Sequence, residues 1–358
     1  MKQPQWGVKP RQRTTTHSFA TSAKESPVST VYSTFQDAYL AELDLTFNEP
    51  EYRNAPRGFS SSERLGVSFT ITDAVQRHVA LPARRANLIF SFAEALWYLA
   101  GTNDLSFISY YAPGMTKYSA DGRTLQGTAY GPRIFNYPRV DLDQWARIRT
   151  VLREDPDSKR AVIQIFDPIE LRESNNIDVA CTLALQFLIR DGALCTVGFM
   201  RANDAFRGMV SDIFSFTMLQ ELMARQLGVP VGTYHHHVGS MHVYDSDSEW
   251  ASKVLAEAAG RPAGTVEMPF PAMPDGDNWP YVRVVLGWER ALRLGEAELS
   301  ADELRTLDLP DYWRHVVALF ELQRRITTLG KRPGPDVVEL LPAVLRDSVT
   351  ARWPHLFV

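Results

Sequence analysis

An Asp-Gly pair at Asp191-Gly192 separates two apolar runs, Leu183 to Ile189 and Leu194 to Met200, and so places a β-hairpin at the middle of the chain. Around it, Ala161 to Phe166 is a short β-prone run, and Thr233 to Tyr244 is rich in β formers and histidine. Helical signals interleave with these strands. Asn87 to Gly101 reads as a strongly apolar helix that ends at a glycine and carries Glu94 inside it, and Asp212 to Leu227 and Tyr312 to Thr328 are helical in pattern. The sequence therefore predicts a mixed α+β domain. Residues 1 to about 30 are polar and lack apolar periodicity, which reads as a flexible arm ahead of one domain over 31–358. The Pro- and Gly-rich stretch from Pro262 to Pro280 reads as a surface connection.

With 358 residues and 45% hydrophobic residues the chain can bury a substantial core. A formal charge of -4 gives no basic footprint for nucleic acid or an anionic membrane, though an arginine cluster can still hold a small anion. The two cysteines, Cys181 and Cys195, make no disulfide framework, and no secretion signal or membrane-length apolar run is evident, so a cytoplasmic protein is expected. Cys195, inside an apolar run, reads as a buried structural thiol.

Chemistry concentrates between Cys181 and Asp212. A cysteine attacks only as thiolate and needs positive charge nearby, which Arg201 supplies if the hairpin's strands bring the two together. The alternative is an inert buried thiol. His235, His236 and His237 look like a metal triplet but would alternate faces on a strand, so no metal is expected.

Six segments, in order, resemble the thymidylate synthase family: Glu94-Ala95-Leu96-Trp97, Tyr130-Gly131, Asp155 to Arg160, Cys181 with Gln186, Arg201 to Asp212, and His242-Val243-Tyr244. The resemblance implies a homodimer that transfers a one-carbon unit from 5,10-methylenetetrahydrofolate to C5 of a pyrimidine nucleotide, with Cys181 adding to C6. It implies proton relay by Glu94, Tyr130 near the C5 proton, and Asp204 and Gly208 at the folate. Gln186 is expected at the base. Arg57 and Arg201, with Lys159 and Arg160 from the partner subunit, would hold the 5′-phosphate, and Ala202, His242 and Tyr244 would line the sugar. On the residues alone, Tyr130 is also readable as a core tyrosine, Lys159 and Arg160 as a solvated pair, and His242 and Tyr244 as ordinary strand residues.

Asp212 stands where the family commonly has Asn. An amide satisfies the O4 acceptor and N3 donor of uracil, whereas a carboxylate accepts from the C4 amino group of cytosine and from its protonated N3. Asp212 therefore points to cytosine, unless it serves only as a helix N-cap. Thr182 replaces a frequent His, Ala202 a Ser and Lys159 an Arg, and Tyr110 to Ala120 lacks the family's Trp. Less bulk there would admit water and give a hydroxymethyl product. The pattern is similar to the cytidylate (CMP) hydroxymethylases of nucleoside-antibiotic, mildiomycin-type biosynthesis, and Lys159 with Ala202 would leave room for a ribose. dCMP hydroxymethylation and dUMP or dCMP methylation are the alternatives. The stretch after about Arg332 departs from the usual family ending.

Overall fold

The computed structural model describes residues 30–356 apart from 139, 263, 265–267 and 330–334. The expected N-terminal arm lies outside the described residues except for Thr30, which opens the first strand. The strands are β1 (Thr30–Tyr32), β2 (Tyr52–Asn54), β3 (Ser61–Ile71), β4 (Val162–Gln164), β5 (Thr182–Arg190), β6 (Ala193–Asp204) and β7 (Val231–Tyr244). The helices before the hairpin are α1 (Phe35–Asn48), α2 (Leu88–Leu99), α3 (Leu105–Tyr111), α4 (Gly131–Phe135) and α5 (Gln144–Glu154). After it come α6 (Gly208–Leu227), α7 (Ser248–Ala258), α8 (Trp279–Arg293) and α9 (Ala301–Thr306). The C-terminal helices are α10 (Asp311–Leu329), α11 (Pro335–Val338) and α12 (Ala343–Arg352).

Among the described residues one seven-stranded mixed sheet runs in the order β1-β3-β7-β6-β5-β4, with β2 pairing on β3. β6 and β7 are parallel, and β5 with β6 is antiparallel. The predicted hairpin turns at Asp191 (φ 50°) and Gly192 (φ 75°), both left-handed, as a two-residue turn between twisted strands requires. Among the described residues no helix is long and apolar enough to cross a membrane.

The helices pack against one face of the sheet. α6 lies along β6, and α2 lies on α6 with all but one of its residues buried. A helix apolar on every side belongs in an interior, which explains the all-round pattern of the sequence. Asn87 caps α2 by accepting from the Phe90 amide. These two central helices carry Glu94 and Asp212 into the core.

The expected α6 begins a turn earlier than the sequence pattern suggests, at Gly208, with Arg207 at its N-cap and no side-chain cap bond. Asp212 therefore lies inside the helix, and the N-cap reading of this residue does not apply. The Pro262 to Pro280 stretch ends sooner than expected, since α8 starts at Trp279 with Pro280 in its first turn, where the missing N–H costs nothing.

Candidate active site

Cys181 sits at the entrance to β5, and the pairing of β5 with β6 brings the Arg201 amide to its carbonyl at 2.8 Å. The Arg201 guanidinium turns back over the same segment. Nε donates to Ala180 O at 2.9 Å, Nη2 to Val179 O at 2.9 Å, and Nη2 also reaches Cys181 Sγ at 3.6 Å. Burial pushes the Cys181 thiol up, Arg201 pulls it down, Asp212 opposes ionisation, and Arg57 favours it. Arg57 comes from the turn Pro56–Gly58, where it takes a left-handed φ of 53°. That conformation costs a non-glycine residue on the order of 1 kcal/mol or more, and such strain clusters at functional sites.

One side of the site is the loop leading to Tyr130. The Asp178 carboxylate accepts from the amides of Gln126, Gly127 and Thr128 at 2.5, 2.9 and 2.8 Å. Gly127 permits this approach, since a Cβ there would stand 2.0 Å from Asp178 O. Thr182 Oγ1 then donates to the Tyr130 hydroxyl at 3.1 Å, and the Tyr130 ring stacks on Tyr98 with centroids 4.8 Å apart. Thr182, in place of the family's frequent His, thus holds Tyr130. Burial keeps the Tyr130 phenol well above its ordinary pKa, so it stays protonated.

Glu94 and Asp212 occupy the interior between α2, α6 and the sheet. Burial is the main cause that pushes Glu94 up to about 8, with Asp212 adding to it and a bond from Ser215 Oγ (3.2 Å) opposing it. Burial likewise pushes Asp212 up to about 7, against a bond from Asn203 Nδ2 at 2.7 Å that lowers it. Two carboxyls that interact in a poorly solvated interior resist ionising together, so near neutral pH they hold a transferable proton.

Asp204 closes β6, with Oδ1 accepting from the Phe206 and Arg207 amides at 2.9 Å each. Burial pushes its carboxyl up, while those amides and His242 pull it down. Gly208 lies between the two aspartates: a Cβ there would stand 3.3 Å from Asp212 Oδ2 and 3.6 Å from Asp204 Cβ. His242 pairs with Asp204 across the parallel strands and packs edge-on against Tyr244 at 5.0 Å. Tyr244 in turn meets Phe59, next to the Arg57 turn. Ala202 is half-buried on β6 beside Arg201, opposite Ser240.

Other expected residues lie elsewhere. Gln186 falls between Leu185 and Phe187, both buried toward the helices, so its side chain points to the opposite face, where Nε2 donates to Lys159 O at 2.9 Å. The expectation that it meets the base is corrected on that ground. Lys159 and Arg160 are exposed just ahead of β4, away from Cys181 within one chain. Cys195 was expected to be buried; it is half-buried on the face away from the helices, accepting from Thr233 Oγ1 at 3.4 Å. The three histidines diverge. His235 bonds Thr70 and Thr233, His237 bonds Ser68, and His236 alone is fully buried. Among the described residues no His, Cys, Asp and Glu group suits a metal ion.

Sequence reasoning missed Asn203, Ser215 and Tyr98, in direct contact with Asp212, Glu94 and Tyr130, and Asp178, which holds the loop ahead of Tyr130. Asn203 carried a signal, being buried beside Asp204 in the segment already singled out; the others act across long sequence separations and left none.

Over 203 residues the chain is 34% identical to the deoxyuridylate hydroxymethyltransferase of Bacillus phage SP01, across 54% of this chain and 53% of that protein. It is thus matched over about half of that relative's length. The deoxyuridylate hydroxymethyltransferase of Delftia phage PhiW-14 is 28% identical over 71% of this chain and 74% of its own length. A putative thymidylate synthase of Methanocaldococcus jannaschii is 37% identical over 36% of this chain and 60% of its own length. The thymidylate synthase family model matches residues 38–273, well over half of the sequence, and the chain belongs to the thymidylate synthase family.

Proposed function

We propose that the protein is a pyrimidine nucleotide C5 hydroxymethyltransferase acting on CMP, with 5,10-methylenetetrahydrofolate as one-carbon donor and water as the source of the hydroxyl. The observation that carries the base choice is Asp212: a carboxyl within the electrostatic reach of Cys181, held by a neutral donor and close to half-protonated at neutral pH. A protonated carboxyl donates to N3 of cytosine and accepts from its amino group at once. Against uracil, the ionised form of the same group would confront the O4 lone pairs, a buried polar mismatch costing about 1 to 3 kcal/mol.

The thiolate of Cys181 adds to C6, forming the C–S bond. The C5–C6 π pair shifts to C4–C5, and the C4–N3 π pair moves onto N3, which takes the proton from Asp212. C5 becomes an enamine carbon able to attack an electrophile. Arg201 and Arg57 favour the thiolate and grip the phosphate, joined by Lys159 and Arg160 of a second copy. Such a homodimer would form through the sheet face away from the helices, where Val162 is 38% and Leu183 37% exposed. Ala202, His242 and Tyr244 would meet the sugar.

The folate fits the residues present. Asp204 has one oxygen fixed by two amides and keeps acceptor capacity for pterin N–H groups, and Gly208 keeps the floor between the two aspartates low. When bound, methylenetetrahydrofolate supplies the electrophilic one-carbon unit. Tyr130 faces the leaving C5 proton, and Glu94, protonated near neutral pH, passes protons through water. Water would add to the one-carbon group on C5 once its bond to the folate nitrogen has broken and tetrahydrofolate has left, and departure of the sulfur as thiolate would restore the ring.

The phage relatives favour a second reading, hydroxymethylation of deoxyuridylate. Mass analysis of the products from CMP, dCMP and dUMP with methylenetetrahydrofolate separates them. Hydroxymethyl-CMP as the fastest product supports the reading; faster conversion of dUMP, or a methylated product, overturns it. Production of hydroxymethyl-CMP would also fit a role in nucleoside-antibiotic biosynthesis.

A further inference from the structure

The middle histidine of the triplet has a use that involves no metal. His236 is fully buried, its ring against Phe69 at 5.1 Å, and both its nitrogens are engaged. Nδ1 meets the Tyr234 hydroxyl at 2.9 Å, Nε2 meets Asn203 Oδ1 at 3.0 Å, and Asn203 Nδ2 donates to Asp212 Oδ2 at 2.7 Å. Four side chains from β7, β6 and α6 thus form one buried hydrogen-bonded file.

Chemistry fixes its direction. An ionised carboxylate only accepts, so Asn203 turns its amino group to Asp212 and its oxygen to His236. His236 then donates from Nε2, which leaves Nδ1 bare to accept from Tyr234. The file is also sterically set. Gly198 lies alongside, and a Cβ there would fall 2.5 Å from Tyr234 Oη and 3.7 Å from His236 Nδ1. Burial lowers His236 to about 3, so it stays neutral and keeps one donor and one acceptor nitrogen.

We propose that Tyr234, His236 and Asn203 are positioning residues: a relay that fixes the Asp212 carboxyl in the orientation that reads cytosine. The inference rests on the reading of Asp212 as the group that meets the base. The titratable groups facing Asp212 are Glu94 and Tyr98 from α2, Tyr130, Cys181, Asp204 and Tyr234, none of them cationic. The Asn203 bond is therefore the main influence keeping this carboxyl from rising further.

The test compares the whole protein with His236→Phe and His236→Gln, reading kcat/KM for CMP and dUMP across the neutral pH range. In His236→Phe the Asn203 amide is free to flip. The expected result is a loss of about ten-fold or more in kcat/KM for CMP, a narrower CMP-to-dUMP ratio, and the pH limb set by Asp212 moved up by about one pH unit or more. His236→Gln keeps an amide donor toward Asn203 and restores most of the ratio. Should His236→Phe not fold, Tyr234→Phe, which deletes one oxygen, gives a smaller shift in the same direction. A folded His236→Phe with the wild-type pH limb and ratio overturns the relay, as does a His236→Gln no better than His236→Phe. A wild-type protein that prefers dUMP overturns the cytosine reading instead, and the pH limb on dUMP then decides the relay alone.

Discussion

Helix α6 carries two carboxylates, one fully buried and one half-buried, that the protein treats in opposite ways. Glu221, in its second half, is fully buried with Arg77 at 2.5 Å, and it also accepts from the Met273 amide at 2.7 Å. Asp212, near the start, accepts from Asn203 and lies near the second carboxyl, Glu94, which accepts from Ser215, both donors being neutral. The first pattern repeats elsewhere in the core: Glu321 with Arg324 and Arg325, Glu289 with Arg293, and Glu170 with Arg133. A cation alongside favours the charged form of a buried carboxylate. Neutral donors leave it a proton to move, which is useful only where chemistry needs one.

Neutralising each end breaks or sharpens this contrast. Glu94→Gln keeps shape and removes the mobile proton, so turnover should fall about 10² to 10⁴-fold while the melting temperature holds or rises; equal losses of both in calorimetry and kinetics would erase the distinction. Arg77→Met leaves Glu221 only the more distant Arg225, at 3.5 Å, and chemical denaturation should show a loss of about 3 kcal/mol with turnover per folded molecule unchanged. Next in size is the pH response. Glu94 at about 8 and Asp212 at about 7 both lie above their unfolded values of 4.5 and 3.8, so the folded state binds more protons in between. Stability is then full below about pH 4, declines as pH rises toward 7 and 8, and levels off above, by up to about 1.4 kcal/mol per pH unit for each proton. Asp212→Asn should flatten that decline in melts run across this range. The smallest effect is expected for Gly208→Ala, whose new methyl would press on Asp212 and on Asn203 Nδ2 at 3.4 Å. A loss of a few-fold in kcat/KM, about 1 kcal/mol, is expected from kinetics at fixed folate.

Much of the architecture was legible because it is local. The Asp191-Gly192 turn and the apolar run of α2 each state their conformation within a few residues. The nucleophile and its arginine were legible too, since a hairpin places them side by side. What failed involved strand phase and helix onset. Gln186 was expected at the base from its spacing to Cys181, yet the inward packing of its neighbours sends it to the other face, after a register shift between Thr182 and Ala184. α6 starts at Gly208 without a capping side chain, so the usual start signal was missing and Asp212 looked like a cap. The Asn203–His236–Tyr234 file joins two strands and a helix, and no spacing within the chain announces it.

The three amides of residues 126–128 that converge on Asp178 have a consequence for how this wall of the site tolerates drift. Its attachment is made by main-chain N–H groups, which every residue but proline has, so apart from Gly127 the side chains along it are released from the job of holding it. The course of the loop toward Tyr130 is written instead in one acid just before the sulfur, with Thr182 and Tyr98 fixing the ring itself. A library that randomised the loop while keeping that acid and the glycine should yield many working sequences, whereas one that varied the acid should yield few.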